Sequence, residues 1–279
     1  MDTEGPRSPT PGRIINHYSS GYEASRLAAG VGLLERERTR ELLERFLPAA
    51  PATVLDVGGG PGVHALWLAE RGYHVHLLDL VPLHVALARG GSRRRPDTPL
   101  ASTILGDARA LPWETGVADA ALLLGPLYHL TDRRDRDAAL REVYRCLRPG
   151  GTLLAVGISR YASTIDGLRQ GYLKDTAFAA IVERDLWDGQ HRNPTGNPDY
   201  FMDTFFHHPD ELRDEVADAG FDVSGVYAVE GPSWLPSVFD PWWENPVYRE
   251  RLLAIARALE SEPSLLGVSA HLMAVARRR

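Results

Sequence analysis

Cysteine and lysine are almost missing from these 279 residues; each occurs once, as Cys146 and Lys174. A lone cysteine excludes an internal disulfide and a zinc site built on several thiolates. Arginine supplies nearly all the positive charge, which reads as a coding bias without functional weight. Positive charge is not in surplus either, since 31 basic residues face 37 acidic ones for a formal net charge of −6. That balance argues against a general nucleic-acid binder, which needs clustered Lys and Arg to neutralise phosphates. No apolar run approaches the roughly 20 residues of a membrane helix. The longest candidate, 118–130, is interrupted by Gly125 and Pro126. The first dozen residues are polar and proline-rich, hold no hydrophobic signal region, and read as a disordered tail over 1–12. The remainder shows ordinary globular usage, 44% hydrophobic and 24% charged, and the length favours one core. The expectation is a cytoplasmic protein without a membrane segment.

Leu42, Leu43, Phe46 and Leu47 recur at helical spacing and predict a helical segment over 13–50, closed near Pro48. Strands and helices then alternate. Strands are expected at 52–57, 74–80, 102–105, 118–124 and 152–158, with helices at 61–71, 82–89 and 136–147. Such alternation implies right-handed crossovers and a parallel sheet with helices on both faces. Residues 159–207 carry many aromatics between Gly, Pro and Asn and show no strand pattern. A helix at 209–219, a strand at 222–229, a helix at 246–260 and a strand at 269–276 follow. The predicted organisation is a core over 51–160 and 208–279, with an insertion at 161–207 covering one end of the sheet.

The most informative stretch is Asp56-Val57-Gly58-Gly59-Gly60-Pro61-Gly62, where a strand runs through glycines into a helix. Glycines let the backbone approach a ligand, and a helix N-terminus offers free N–H groups. On its own this could be a mere strand–helix turn. Asp79 ends the second predicted strand, where an acid can accept hydrogen bonds from ribose hydroxyls. Asp107 follows the third, at the same edge of the sheet. The dinucleotide fingerprint would place its last glycine at position 63, which is Val63.

The Asp56-x-Gly58-x-Gly60-x-Gly62 loop, Asp79, Gly106-Asp107-Ala108 and the Leu147–Gly151 turn resemble class I S-adenosylmethionine-dependent methyltransferases. The resemblance implies a Rossmann-like, seven-stranded, mostly parallel sheet ending in an antiparallel strand, which 269–276 could supply. It implies S-adenosylmethionine as cofactor, with the Gly58, Gly60 and Gly62 loop near its methionine part. Asp79 would hold the ribose, Asp107 and Ala108 would meet the adenine, and Asp56, Leu80 and Leu124 complete the set. The helix at 246–260 departs from the minimal family fold.

Methyl transfer depends on holding the nucleophile close and in line, and needs a base only if the acceptor arrives protonated. Residues after the fourth strand border the methyl group in the family, so Tyr128 and His129 are the candidate catalytic residues. As an unperturbed base, His129 would make the rate fall as pH drops through ~6.5. Related enzymes fold an N-terminal segment over the cofactor, which brings in Tyr18, Tyr22 and Arg26. Tyr161, Tyr172, Phe178, Trp187, Tyr200, Phe201, Phe205 and Phe206 are either an acceptor pocket or the insertion's own small core. His207 and His208 lack a third ligand at a recognisable spacing, so no metal site is expected. The expected partner is a small-molecule acceptor methylated on O, N or C. Two other readings remain open at this stage: a tRNA wobble-uridine carboxyl methyltransferase, and a cofactor-binding partner protein without catalysis. The oligomeric state has no signature in the sequence.

Overall fold

The computed structural model describes residues 11–18 and 26–279. Tyr22 and residues 1–10 of the expected tail lie outside the described residues. In chain order the elements begin with α1 (Pro11–Tyr18), α2 (Val31–Phe46), β1 (Thr53–Val57), α3 (Val63–Ala69), β2 (His74–Asp79), α4 (Pro82–Arg93), β3 (Ser102–Leu105) and β4 (Ala118–Leu123). They continue with α5 (Pro126–His129), α6 (Arg133–Cys146), β5 (Leu147–Ser159), α7 (Ala162–Gln170), α8 (Thr176–Asp188), β6 (Gln190–His191) and β7 (Thr204–His207). Last come α9 (Pro209–Asp218), β8 (Phe221–Ala228), α10 (Asp240–Glu244), α11 (Pro246–Leu259) and β9 (His271–Arg278).

Local chemistry sets several boundaries. Asp132 caps α6 by accepting from the Arg134 N–H at 2.9 Å. Asn245 caps α11 by accepting from the Val247 and Tyr248 N–H groups, with Pro246 at the first helical position. Leu147–Gly151 does not simply end α6. It forms the irregular start of β5, with a register shift between the Ala118 and Ala120 pairings.

The sheet runs β3-β2-β1-β4-β5 in parallel. β9 then pairs antiparallel with β5 over Thr152–Ile158, and β8 pairs antiparallel with β9. Those seven strands are the sheet expected from the sequence. Two further short strands correct the expected count. β6 and β7 form a hairpin, and β7 pairs parallel with the end of β5 through Ile158–Phe206 and Ser159–His207. The Ser159 N–H donates to Ala270 O while the Arg160 N–H donates to His207 O, so β9 and β7 flank opposite edges of β5. Gln190–His191 and Thr204–His207 of the expected insertion therefore join the sheet. β7 escaped the sequence reading because four residues buried at every position show no alternation.

Period-two alternation divides the core into two layers. Leu55, Val57, Ala121, Leu123, Leu153 and Ala155 face α6 and α9. Val54, Ala120, Leu122, Leu154 and Val156 face α2, α3 and α4. Buried ion pairs then fix the helices. Arg136 of α6 binds Glu215 of α9 at 2.7 and 2.8 Å and donates to the carbonyls of Leu130 and Thr131, pinning the loop after α5. Arg38 of α2 pairs with Glu260 beyond α11. Neither side of the Arg136–Glu215 pair can lose its partner cheaply, because an uncompensated buried charge is strongly unfavourable.

Candidate functional site

The C-terminal ends of β1, β2, β3 and β4 open into one cavity, where ligands bind in open α/β sheets. Of the residues singled out in the sequence, Tyr18, Arg26, Asp56, Gly58, Gly60, Asp79, Leu80, Asp107, Ala108, Leu124, Tyr128 and His129 line it. Gly62 does not. It sits at the N-terminus of α3 with φ 89° and shapes the turn.

The glycine loop closes tightly against its neighbours. Gly58 has φ 73°, and a Cβ there would lie 2.5 Å from Cγ of Pro126, the first residue of α5. Gly58→Ala is therefore expected to cost about 1–3 kcal/mol of stability through backbone strain and overlap. Urea unfolding of the variant measures this, and an unchanged midpoint would show that the loop tolerates a side chain. A Cβ at Gly59 would meet Oδ2 of Asp56 at 2.6 Å.

Asp79 does more than end β2. Its Oδ2 accepts from the Gly60 N–H at 2.8 Å, and its Oδ1 accepts from the Val81 N–H at 2.8 Å. His84 Nδ1 lies 3.1 Å from the same Oδ1. One buried carboxylate thus organises the glycine loop, the start of α4 and the cavity wall. Asp107 is paired with Arg109, which also reaches Asp135 at 3.1 Å. Burial pushes the Asp107 carboxyl up, but Arg109 outweighs it and holds the group below its ordinary range.

Four buried polar atoms on residues of this one cavity have no hydrogen-bond partner among the described residues: Asp56 Oδ2, His64 Nδ1, His84 Nε2 and His129 Nδ1. Buried polar groups are normally satisfied, so such a concentration marks a place for a polar ligand. Burial, helped by the charge of Asp79, raises the Asp56 carboxyl to about 7. A cationic ligand would reverse that shift.

Tyr128 and His129 form the far wall, their rings 4.7 Å apart. His129 Nε2 is 2.7 Å from the Tyr18 hydroxyl. Burial, with a smaller contribution from His17, lowers the His129 imidazole to about 3. A rate limb near the ordinary histidine value is thus replaced by an imidazole that stays neutral through the physiological range.

A charged cluster that no motif announced completes the wall. Arg26 makes a two-point ion pair with Glu35 of α2. His271, which opens β9, holds Glu230 through Nδ1 at 2.6 Å and lies 3.9 Å from Glu35. His64 and His84 also went unnoticed, although each follows a motif acid or glycine by a few residues. Glu35, Glu230 and His271 had no local signal, because only tertiary packing brings them together.

The expected cover from 161–207 contributes no side chain to this cavity; Ile14, Tyr18, Arg26 and Leu27 line it from the N-terminal side. Of its aromatics, Phe206 is buried with Ile158 and Ala162 and packs against Tyr128. Phe178 and Tyr200 are buried with Ile181 and Val182 in a small separate core, and Trp187 is 87% exposed.

Comparison with known proteins adds the following. Residues 54–151 match the methyltransferase domain family. An uncharacterised methyltransferase of Mycobacterium tuberculosis is 34% identical over 128 residues, covering 45% of this chain and 49% of the relative. A ubiquinone/menaquinone biosynthesis C-methyltransferase of Neisseria meningitidis is 28% identical over 174 residues, 61% of this chain and 66% of its own. The chain thus spans about half the length of the mycobacterial relative. Among solved structures, the [4+2]-cyclase SpnF aligns with TM-score 0.63 at 19% identity, covering 98% of this chain and 97% of its own. A putative S-adenosylmethionine-dependent methyltransferase of Listeria monocytogenes aligns with TM-score 0.59 at 19% identity, covering 88% and 99%. These structural likenesses establish the fold.

Proposed function

Because the chain belongs to the class I S-adenosylmethionine-dependent methyltransferase family, we propose that it methylates an O, N or C nucleophile of a small organic acceptor. The observation that carries the reading is the single cavity in which Asp56, Asp79 and Asp107 meet the glycine loop at the strand ends.

The residues present suit the cofactor. Asp79 retains lone pairs for ribose hydroxyls, Asp107 and Ala108 stand beside the place for an adenine, and the Gly58–Gly60 backbone leaves room for close approach. The partnerless carboxyl oxygen of Asp56 suits a ligand with positive charge. When bound, the cofactor supplies a methyl group on a cationic sulfur, and the acceptor's lone pair forms the new bond as the C–S pair returns to sulfur. The chain's part is to hold the acceptor in line and to exclude water. Tyr128 and His129 border that space. If His129 takes a proton, the tautomer that donates from Nε2 to Tyr18 leaves Nδ1 to accept it.

Calorimetry is expected to show binding of S-adenosylmethionine and S-adenosylhomocysteine and none of NAD. NAD binding without binding of either would overturn the reading. A second reading draws on the [4+2]-cyclase neighbour, whose fold spans nearly this whole chain. In that use S-adenosylmethionine would not be consumed during turnover, so its conversion to S-adenosylhomocysteine with an acceptor panel separates the two. The tRNA-directed alternative would show binding that weakens steeply with salt.

A further inference from the structure

Two histidines flank Tyr128 in the cavity, and their surroundings drive them in opposite directions. The ring of His129 lies 4.7 Å from that of Tyr128, and the ring of His271 lies 6.5 Å from it. His129 is buried beside His17, and among the described residues no carboxylate is hydrogen-bonded to it; burial outweighs the charge of Asp79 and lowers the imidazole, which stays neutral. His271 faces Glu35 from α2 and Glu230 from the turn after β8, with Arg26 and His64 as the other charged or titratable groups nearby. Burial alone would lower the His271 imidazole, but the two carboxylates outweigh it and raise it to about 9. Pairs of titratable groups pushed apart in this way mark divided roles in a site.

The geometry around His271 is built. Glu230 is 1% exposed; its Oε1 holds His271 Nδ1, and its Oε2 accepts from Ser269 Oγ at 2.8 Å and from the His271 N–H at 3.0 Å. The Nδ1 bond fixes the ring and leaves Nε2, with no hydrogen bond among the described residues, as the nitrogen open to a ligand. Glu35, Glu230 and His271 do bring three ligating atoms within 4.8 Å of one another. Arg26, however, already covers both oxygens of Glu35, so the cluster is a balanced ion network and a metal would have to displace a guanidinium.

Position along the sheet separates His271 from the cofactor-binding acids. From β2, which ends at Asp79, to β9 there are four strand spacings, on the order of 19 Å. His271 thus stands three strands beyond the glycine loop, on the side of the sheet left for the acceptor. We propose that His271 is the acceptor-binding cation of this site, donating from Nε2 to an anionic oxygen, so that the chain takes acceptors bearing a carboxylate, phenolate or enolate. This rests on the methyltransferase reading and narrows its substrate class. It also explains a neutral His129, since an acceptor that arrives ionised needs no base.

The test uses the full chain saturated with S-adenosylhomocysteine and two anionic probes, acetate and benzoate, each compared with its amide. Histidine side-chain NMR is expected to show His271 signals shifting saturably with the anions and not with acetamide or benzamide. Anion affinity should weaken as pH rises through about 9, where the imidazolium loses its proton. H271Q is expected to bind the anions at least tenfold more weakly while its S-adenosylhomocysteine affinity stays within about twofold. The wild-type titration needs no variant to fold, and E230Q, which removes the carboxylate that holds Nδ1, should weaken anion binding in the same direction. A tenfold loss of S-adenosylhomocysteine affinity in H271Q, with anion binding intact, would assign His271 to the cofactor's own carboxylate and overturn the proposal. Normal S-adenosylhomocysteine binding with no response to either anion would overturn it alone. Failure of the wild type to bind S-adenosylhomocysteine would remove the methyltransferase reading as well.

Discussion

Asp79→Ala is expected to lower affinity for S-adenosylhomocysteine by on the order of 2–4 kcal/mol, roughly 30- to 1000-fold. On the proposed role of Asp79, the direct loss is two charge-assisted hydrogen bonds to the ribose. A second loss is structural, because the carboxylate also accepts from the Gly60 and Val81 N–H groups. With alanine at this position both donors lose their partner, and the glycine loop loses its tie to β2. Asp79→Asn keeps the volume but turns an amide NH2 toward one of those N–H groups, so it should recover only part of the affinity. Calorimetry on folded variants, checked by thermal unfolding, measures the effect. Unchanged affinity in Asp79→Ala would remove Asp79 from cofactor recognition.

The second large effect concerns His129. Its replacement by alanine opens the wall beside Tyr128 and removes the contact with the Tyr18 hydroxyl, which lies 2.7 Å from Nε2. Displacement of a reacting group by about 1 Å can cost on the order of 10²-fold in rate, and a loss of that size is expected in single-turnover kinetics. Glutamine preserves a polar end at similar reach and should stay within about tenfold of the parent. The pH profile decides between roles. An imidazole lowered to about 3 by burial is neutral well below neutrality, so no limb should come from His129 between about pH 5 and 8. A limb near ~6.5, abolished in both variants, would restore His129 as a general base with an ordinary titration. Parent rates in both variants would leave the alignment to Tyr128 and Tyr18.

The sequence announced those parts of the site that depend on spacing within a strand–loop–helix unit. Asp56 lies near the end of β1, Gly58 and Gly60 follow it, Asp79 closes β2, and Asp107 follows β3, and parallel pairing alone brings these ends to one edge. What stayed hidden depends on pairings distant in the chain. His271 reaches the cavity because β9 lies between β5 and β8, and Glu35 because α2 packs across the same end. Their charges carry no periodic signal, and a helix as rich in Glu and Arg as α2 gives no reason to select one carboxylate. The aromatics of 159–207 were open to two readings for another reason. Composition alone cannot distinguish a pocket from a small private core, and Phe178 and Tyr200 form the latter.

The place of β9 in the sheet bears on how the molecule is assembled during synthesis. β9 follows every other strand in chain order, yet it occupies an interior position, hydrogen-bonded to β5 and β8 on its two sides. Until residues 271–278 have left the ribosome, β5 and β8 cannot be joined, and each presents an open edge. Open, apolar strand edges are templates for pairing with other chains, so nascent or truncated forms are the ones exposed to aggregation. Closure also depends on contacts between residues more than a hundred positions apart, a topology that slows folding. His271 belongs to this last strand, so the cavity gains its imidazolium only in the step that closes the sheet.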